Sequence, residues 1–211
     1  MKYIALDIGN VLVHVNFQDF LKKLSKSLNI TLEEARYFMN RSQKLHDLGL
    51  TVMRDELIDH LKIKSEPLRE ELIEYWNYCI TPADWMLEEL DSLCKAHDLK
   101  VALLSNVGLE HAARMKEILN HNGFFDNAVK HFSCYVGARK PTFLYYQSFL
   151  AMHPEWNGCA YVDDLQENLD ASKIFGFKTF RLAIDEISGE KYVKEDFDAK
   201  MAALREFLIK E

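Results

Sequence analysis

The chain has 211 residues, 48% of them hydrophobic and 28% charged, with a formal net charge of −7. That balance excludes a disordered chain, and the length fits one core domain carrying a smaller insertion. The acidic surface repels phosphate backbones and so excludes nucleic acid as a main partner, although local cations can still hold a small anion.

The opening stretch Lys2-Tyr3-Ile4-Ala5-Leu6-Asp7-Ile8-Gly9-Asn10-Val11-Leu12 reads as a short buried strand. It runs into Asp7 and ends at a Gly9-Asn10 turn. Over residues 16–80 the pattern becomes helical. Phe17, Phe20, Leu21 and Leu24 recur at helical spacing, and Thr31-x-x-Glu34 has the form of a capping box opening a second helix. That helix weakens near Leu48-Gly49. A third is predicted from about Met53 to Leu61, and a fourth from about Pro67 to Cys79, with no strand-like alternation in this region.

From Pro82 onward helices and strands alternate. A helix from Ala83 to His97 precedes a strand at Lys100–Leu104, which ends in Ser105-Asn106. A helix from Leu109 to Asn122 stops at Gly123, a residue suited to helix ends. A strand around His131 to Tyr135 leads to Arg139-Lys140-Pro141, with Pro141 opening the next helix. A strand at Gly158–Val162 ends in Asp163-Asp164. A helix from about Gln166 to Phe175, a strand at Phe177–Leu182 and an amphipathic tail from Glu195 to Ile209 complete the chain. Strands alternating with helices of this length signal βαβ units and a parallel sheet, hence an α/β fold.

Four strand ends thus present polar groups: Asp7, Ser105-Asn106, Arg139-Lys140 and Asp163-Asp164. In a parallel sheet these ends share one edge and converge on one crevice. Taken singly, each has a purely structural reading: a turn-forming Asp, a helix N-cap, a solvated charged loop. Asp163-Asp164 is the stronger signal, because like charges at a buried strand end repel unless a cation or proton relieves them. Together the set is complementary. Three carboxylates suit Mg²⁺, a Lys and a Ser hydroxyl suit phosphoryl oxygens, and a carboxylate facing both can attack phosphorus.

On these motifs the sequence resembles the haloacid dehalogenase (HAD) superfamily of aspartate-nucleophile phosphotransferases. Leu6-Asp7-Ile8-Gly9-Asn10-Val11-Leu12 is similar to its first motif and Leu103-Leu104-Ser105-Asn106 to its second. Arg139-Lys140-Pro141 is similar to the third, and Tyr161-Val162-Asp163-Asp164 to the fourth. The resemblance implies a Rossmann-like sheet of order 5-4-1-2-3, with residues 1–15 and 81–211 as the catalytic core and 16–80 as a helical cap. It implies Asp7 as nucleophile and Mg²⁺ ligand, with the Gly9 carbonyl and Asp164 also on the metal and Asp163 a ligand or close by. Ser105, Asn106 and Lys140 would hold the phosphoryl group, Lys140 also neutralising Asp7. Asn168 lies close enough in sequence to assist. The Asp7–Val11 start together with Leu48-Gly49 is similar to a sugar-phosphate phosphatase branch that includes glucose-1-phosphatase-like proteins.

The departure from the family pattern is Gly9. Phosphatases of this family usually carry an acid–base Asp two residues after the nucleophile, a contribution of about 10²–10⁴ in rate. The expectation is therefore a Mg²⁺-dependent phosphatase acting on a small phosphorylated metabolite through an aspartyl-phosphate. The alternative is a catalytically weak relative that binds a phosphorylated ligand or partner. His46 or Asp47 could substitute for the absent carboxylate, and His14 and Tyr37 are further candidates to meet substrate. No run of about 18 apolar residues exists, so no membrane partner is expected. Two residues ahead of the first strand leave no room for a signal peptide. Cys79, Cys94, Cys134 and Cys159 form no C-x-x-C pair, as expected of free thiols in a cytoplasmic protein, monomeric or homodimeric.

Overall fold

The structure is a computed structural model that describes residues 3–121, 125–184 and 194–209. Five strands form one parallel sheet: β1 (Tyr3–Leu6), β4 (Lys100–Ser105), β5 (Val129–Phe132), β6 (Ala160–Asp163) and β7 (Lys178–Arg181). Their order is β5-β4-β1-β6-β7, every pairing being parallel. Counted within this sheet alone, that is the expected 5-4-1-2-3 order. The central strand β1 has both faces covered. Ile4 and Leu6 join the apolar cluster of α5 (Asp84–Ala96), α6 (Leu109–His121) and α10 (Lys194–Ile209), whereas Ala5 joins that of α8 (Phe143–Met152) and α9 (Gln166–Lys173). Burial on both faces explains why this strand reads as an unbroken apolar run.

Between β2 (Val13–Val15) and β3 (Ile80–Pro82) stand four helices: α1 (Gln18–Leu28), α2 (Leu32–Asp47), α3 (Met53–Asp59) and α4 (Glu66–Asn77). They enclose an apolar cluster of their own, including Phe20, Leu21, Leu24, Phe38, Met53, Leu57, Leu72 and Trp76. The capping box at α2 is formed: Thr31 accepts from the Glu34 backbone, and Glu34 accepts from the Thr31 N–H at 2.7 Å. β2 and β3 pair antiparallel, Val13 with Pro82 and Val15 with Ile80. This ribbon was not expected, because each strand is three residues long and carries too few positions to show alternation.

Two other boundaries moved. The strand expected at His131–Tyr135 is β5, ending at Phe132, and a single helical turn α7 (Ser133–Val136) follows it. Buried Ser133 explains the break: its hydroxyl accepts from the Val107 N–H at 2.8 Å, drawing the chain toward the loop after β4. Pro141 precedes α8 rather than opening it, the helix starting at Phe143, and the Lys140–Pro141 peptide is cis. Gly123 lies outside the described residues. The tail helix α10 docks on the core through Met201, Leu204 and Leu208. No helix among the described residues is long and apolar enough to cross a membrane.

Candidate active site

The C-terminal edge of the sheet carries the site. Asp7 directly follows β1, and its N–H donates to Val162 O at 2.8 Å, continuing the pairing with β6. Beyond it the chain turns sharply, Ile8 O accepting from Leu12 N at 2.8 Å and Val13 N at 3.0 Å. Asn10, not Gly9, takes the left-handed conformation here, with φ of 51°. Asn adopts this region more readily than most residues. Its side-chain oxygen accepts from Val15 N at 3.2 Å, which stabilises the turn. Gly9 has no such backbone need, so its missing side chain is a matter of the crevice it lines.

Lys140 is the hub. Its side chain is 1% exposed, and its ammonium donates to three oxygens. These are Asp7 Oδ1 at 2.8 Å, Asp163 Oδ2 at 2.7 Å and Leu104 O at 2.8 Å. An ammonium has three N–H donors, so this set uses all of them. Burial pulls the Lys140 pKa down, but the charges of Asp163 and Asp7 outweigh it and hold the side chain firmly protonated. Below it, Tyr145, Tyr146 and Tyr161 form a buried aromatic layer that keeps water from the underside of the site.

The three carboxylates differ. Asp163 is fully buried and accepts from the Leu165 N–H, the Asn168 amide, the Lys140 ammonium and the Tyr161 hydroxyl. Burial raises its pKa, yet Lys140 and the hydroxyl and amide donors bring it below the ordinary carboxylate value. Asp164 is partly exposed and takes one contact from the Asn10 amide at 3.4 Å. Burial and the neighbouring Asp163 push it up to about 6. Asp7 is pushed up to about 7 by burial and by Asp163 and Asp164, against the opposing pull of Lys140. One oxygen from each of the three lies within 4.8 Å of the others. Three carboxylates face one ammonium, and that excess of negative charge is what a divalent cation relieves.

Asn106 is held by the loop that carries Lys140. Its side-chain oxygen accepts from Lys140 N at 2.7 Å, and its amide donates to Lys140 O at 2.9 Å. These bonds tie the β4 loop to the Lys140 loop, and Asn106 also lines the crevice. Asp163, expected on the metal or close by it, has an oxygen in the three-carboxylate cluster, and donors of the protein also meet both its oxygens. Asn168 is the residue that orients it. Ser105 ends β4, is buried and lines the crevice with Asp7, Gly9 and Lys140.

The opposite wall comes from the helical segment: Phe17, Gln43, His46, Asp47 and Trp76, joined by His111 of α6. Asp47 accepts from Arg139 Nε at 3.1 Å and Nη2 at 2.9 Å, joining the end of α2 to the loop that carries Lys140. Burial raises the Asp47 pKa, and Arg139 opposes that rise. Tyr37 is 71% exposed, and neither it nor His14 lines the crevice. Trp76 and His111 were missed by sequence reasoning. They stack at 4.3 Å, but nothing in their spacing separates them from ordinary helix packing.

No protein-family model and no curated protein sequence matches the chain. Solved structures do. A HAD family enzyme from Bacteroides thetaiotaomicron, in complex with magnesium and inorganic phosphate, superposes with a TM-score of 0.71 at 17% identity, covering 92% of this chain and 98% of its own. A HAD-like family hydrolase from Porphyromonas gingivalis gives 0.69 at 18% identity, over 94% of this chain and 97% of its own. An L-2-haloacid dehalogenase gives 0.58 at 19% identity, over 87% and 85%. The α/β fold of this chain is that of the HAD family enzymes.

Proposed function

We propose that the protein is a Mg²⁺-dependent phosphatase that hydrolyses a small phosphomonoester through an aspartyl-phosphate at Asp7. The observation that carries this reading is the cluster of Asp7, Asp163 and Asp164 around a single, fully partnered Lys140. The donor set fits Mg²⁺: hard oxygens, two of them on carboxylates whose pKa values are raised by burial and by the neighbouring carboxylates. Asp7, Asp164 and the Gly9 carbonyl would hold the ion, with Asp163 positioning Lys140. The bound ion would neutralise charge on the phosphoryl oxygens and favour ionised Asp7.

In this reading one Asp7 carboxylate oxygen attacks phosphorus, and the ester P–O bond breaks as the alcohol oxygen leaves and takes a proton from solvent water. Water then attacks the acyl phosphate at phosphorus, returning the Asp7 carboxylate and releasing phosphate. Lys140 keeps the nucleophile oriented and compensates its charge, while the Ser105 hydroxyl and loop N–H groups meet the phosphoryl oxygens. The helical segment 16–80 acts as a cap over residues 1–15 and 81–211. A structural neighbour binding magnesium and inorganic phosphate supports this reading.

Hydrolysis of an aryl phosphate with and without Mg²⁺, in wild type and Asp7→Asn, tests it. Activity that needs no Mg²⁺, or that survives the substitution, contradicts it. Gly9 favours a second reading, a weak relative that binds a phosphorylated ligand, because the position two residues after Asp7, where the family's phosphatases usually carry an acid–base Asp, has no side chain here. Mg²⁺-dependent capture of orthovanadate without turnover on a broad phosphate panel would select that reading. Halide release from a 2-haloacid in the presence of a chelator would instead place the activity with the dehalogenase neighbours.

A further inference from the structure

The crevice wall built by the helical segment is largely apolar and includes an aromatic stack. Phe17, just ahead of α1, stacks on Trp76 of α4 with ring centroids 5.3 Å apart and 27° between the planes. Trp76 stacks in turn on His111 of α6. Trp76 and His111 are buried, whereas Phe17 is only half-buried and lines the crevice, so it is the ring of the stack most open to a ligand. Val15, Ile80 and Met115 add aliphatic lining.

The polar groups of this wall are already engaged or enclosed. Asp47 accepts from Arg139, His111 meets Trp76 O at 2.9 Å, and both ring nitrogens of His46 are buried. Gln43 adds a neutral amide, which is no acid. The position two residues after Asp7 offers none either. A Cβ on Gly9 would meet Val15 Cγ2 at 3.4 Å, so the space beside Gly9 is bounded by a methyl group rather than by a proton donor. The crevice measures about 200 Å³, below the ~300–1,000 Å³ of sites for drug-sized ligands, which keeps the leaving group small.

Two independent features thus favour the same leaving group. Without a protein acid, the ester bond breaks readily only where the departing oxygen tolerates negative charge. A phenol has a pKa of about 10, as tyrosine does, whereas an aliphatic hydroxyl lies nearer the ~15.7 of bulk water. A flat apolar ring is also what packs best on a phenylalanine, and an apolar wall leaves it no polar group to satisfy.

We propose that the site selects phosphomonoesters of small phenols, with Phe17 as the specificity-determining residue against which the ring packs. The ester P–O bond breaks with its electron pair going to oxygen, so a phenolate departs and then takes its proton from solvent water. This rests on the phosphatase reading above and names its substrate class.

The test measures kcat/KM for phenyl phosphate and ethyl phosphate with Mg²⁺ in wild type and Phe17→Leu, with circular dichroism to confirm folding. Wild type favours phenyl phosphate by at least about 10², the lower end of what acid assistance is worth to an alkyl ester. Phe17→Leu lowers kcat/KM for phenyl phosphate about fivefold, chiefly through KM, and leaves that for ethyl phosphate within about twofold. Constants within tenfold of each other in wild type, or equal losses on both esters in Phe17→Leu, overturn the proposal. A second arm needs neither turnover nor a variant. Phenylphosphonate, whose P–C bond is not hydrolysed, binds wild type with Mg²⁺ about tenfold more tightly than ethylphosphonate by calorimetry. Equal affinities overturn the assignment of the wall. If wild type hydrolyses neither ester while phenylphosphonate keeps its advantage, the phosphatase reading fails and the aryl-binding role of the wall stands.

Discussion

Gly9→Asp is the substitution that most sharply separates a crippled site from a complete one. The structure permits the added side chain. Gly9 is outside the left-handed region, and a Cβ built there meets only Val15 Cγ2, at 3.4 Å, an ordinary contact. The new carboxylate would project from a residue that lines the crevice, two positions beyond Asp7. Acid–base assistance is worth about 10²–10⁴ in rate. The gain should track the leaving group: near the top of that range for an alkyl phosphate, whose alcohol needs a proton, and small for an aryl phosphate, which leaves readily. The cost is a fourth carboxylate beside Asp7, Asp163 and Asp164, which raises the Asp7 pKa further and steepens the Mg²⁺ requirement. The assay is kcat for an alkyl and an aryl phosphate across a Mg²⁺ titration, with circular dichroism to confirm folding. A folded Gly9→Asp protein with no gain on the alkyl ester at saturating Mg²⁺ would refute the idea that Gly9 is where the rate is lost.

Three further outcomes follow from the same geometry. Removing Lys140 as Lys140→Met strips the partner from buried Asp7 and Asp163 and should cost about 3–5 kcal/mol in urea unfolding, with loss of turnover. A cost under 1 kcal/mol would contradict the hub role. Gly49→Ala should destabilise the docking of α2. Gly49 has φ of 68°, and the new Cβ would lie 2.5 Å from Cys134 O. A loss of about 1–3 kcal/mol is expected, with weaker substrate binding, whereas an unchanged melting temperature would refute it. The pH dependence has a definite sign. The Asp7 pKa, about 7 against the ordinary 3.8, means the folded state keeps a proton that the unfolded chain has released. Stability therefore falls as pH rises through that window. The buried histidines His111 and His131, both pushed down to about 4, have the opposite sign, so the comparison must be with Asp7→Asn. Without metal, wild type should lose ~2 kcal/mol relative to Asp7→Asn between pH 5 and 8, and Mg²⁺ should reverse the loss. No pH-dependent difference between the two proteins would count against a raised Asp7 pKa.

The fold was legible because β1, β4 and β6 are buried on both faces and read as apolar runs, each ending in a polar group. That regularity announced a parallel sheet and put Asp7, Ser105 and Asp163-Asp164 on one edge. What stayed hidden depends on contacts between distant segments. The pairing of Val13–Val15 with Ile80–Pro82 joins strands too short to carry a pattern. The bonds between the Asn106 amide and the Lys140 main chain join distant segments, which no local pattern shows. Asp163 and Asp164 are adjacent and chemically identical in the sequence. Only burial and the surrounding donors set them apart, Asp163 being fully buried among donors and Asp164 partly exposed. His46 was one of four guesses, and its place on the crevice wall is what distinguishes it from Tyr37 and His14.

The central claim is that Asp7 becomes phosphorylated during turnover. Borohydride added to the enzyme while it turns over an aryl phosphate with Mg²⁺ reduces an acyl phosphate to an alcohol, which would convert Asp7 to homoserine. Mass spectrometry of the N-terminal peptide should find that conversion at Asp7 only when substrate and Mg²⁺ are both present, and not in Asp7→Asn. Turnover with an unmodified Asp7, or with the modification on another residue, would contradict the account.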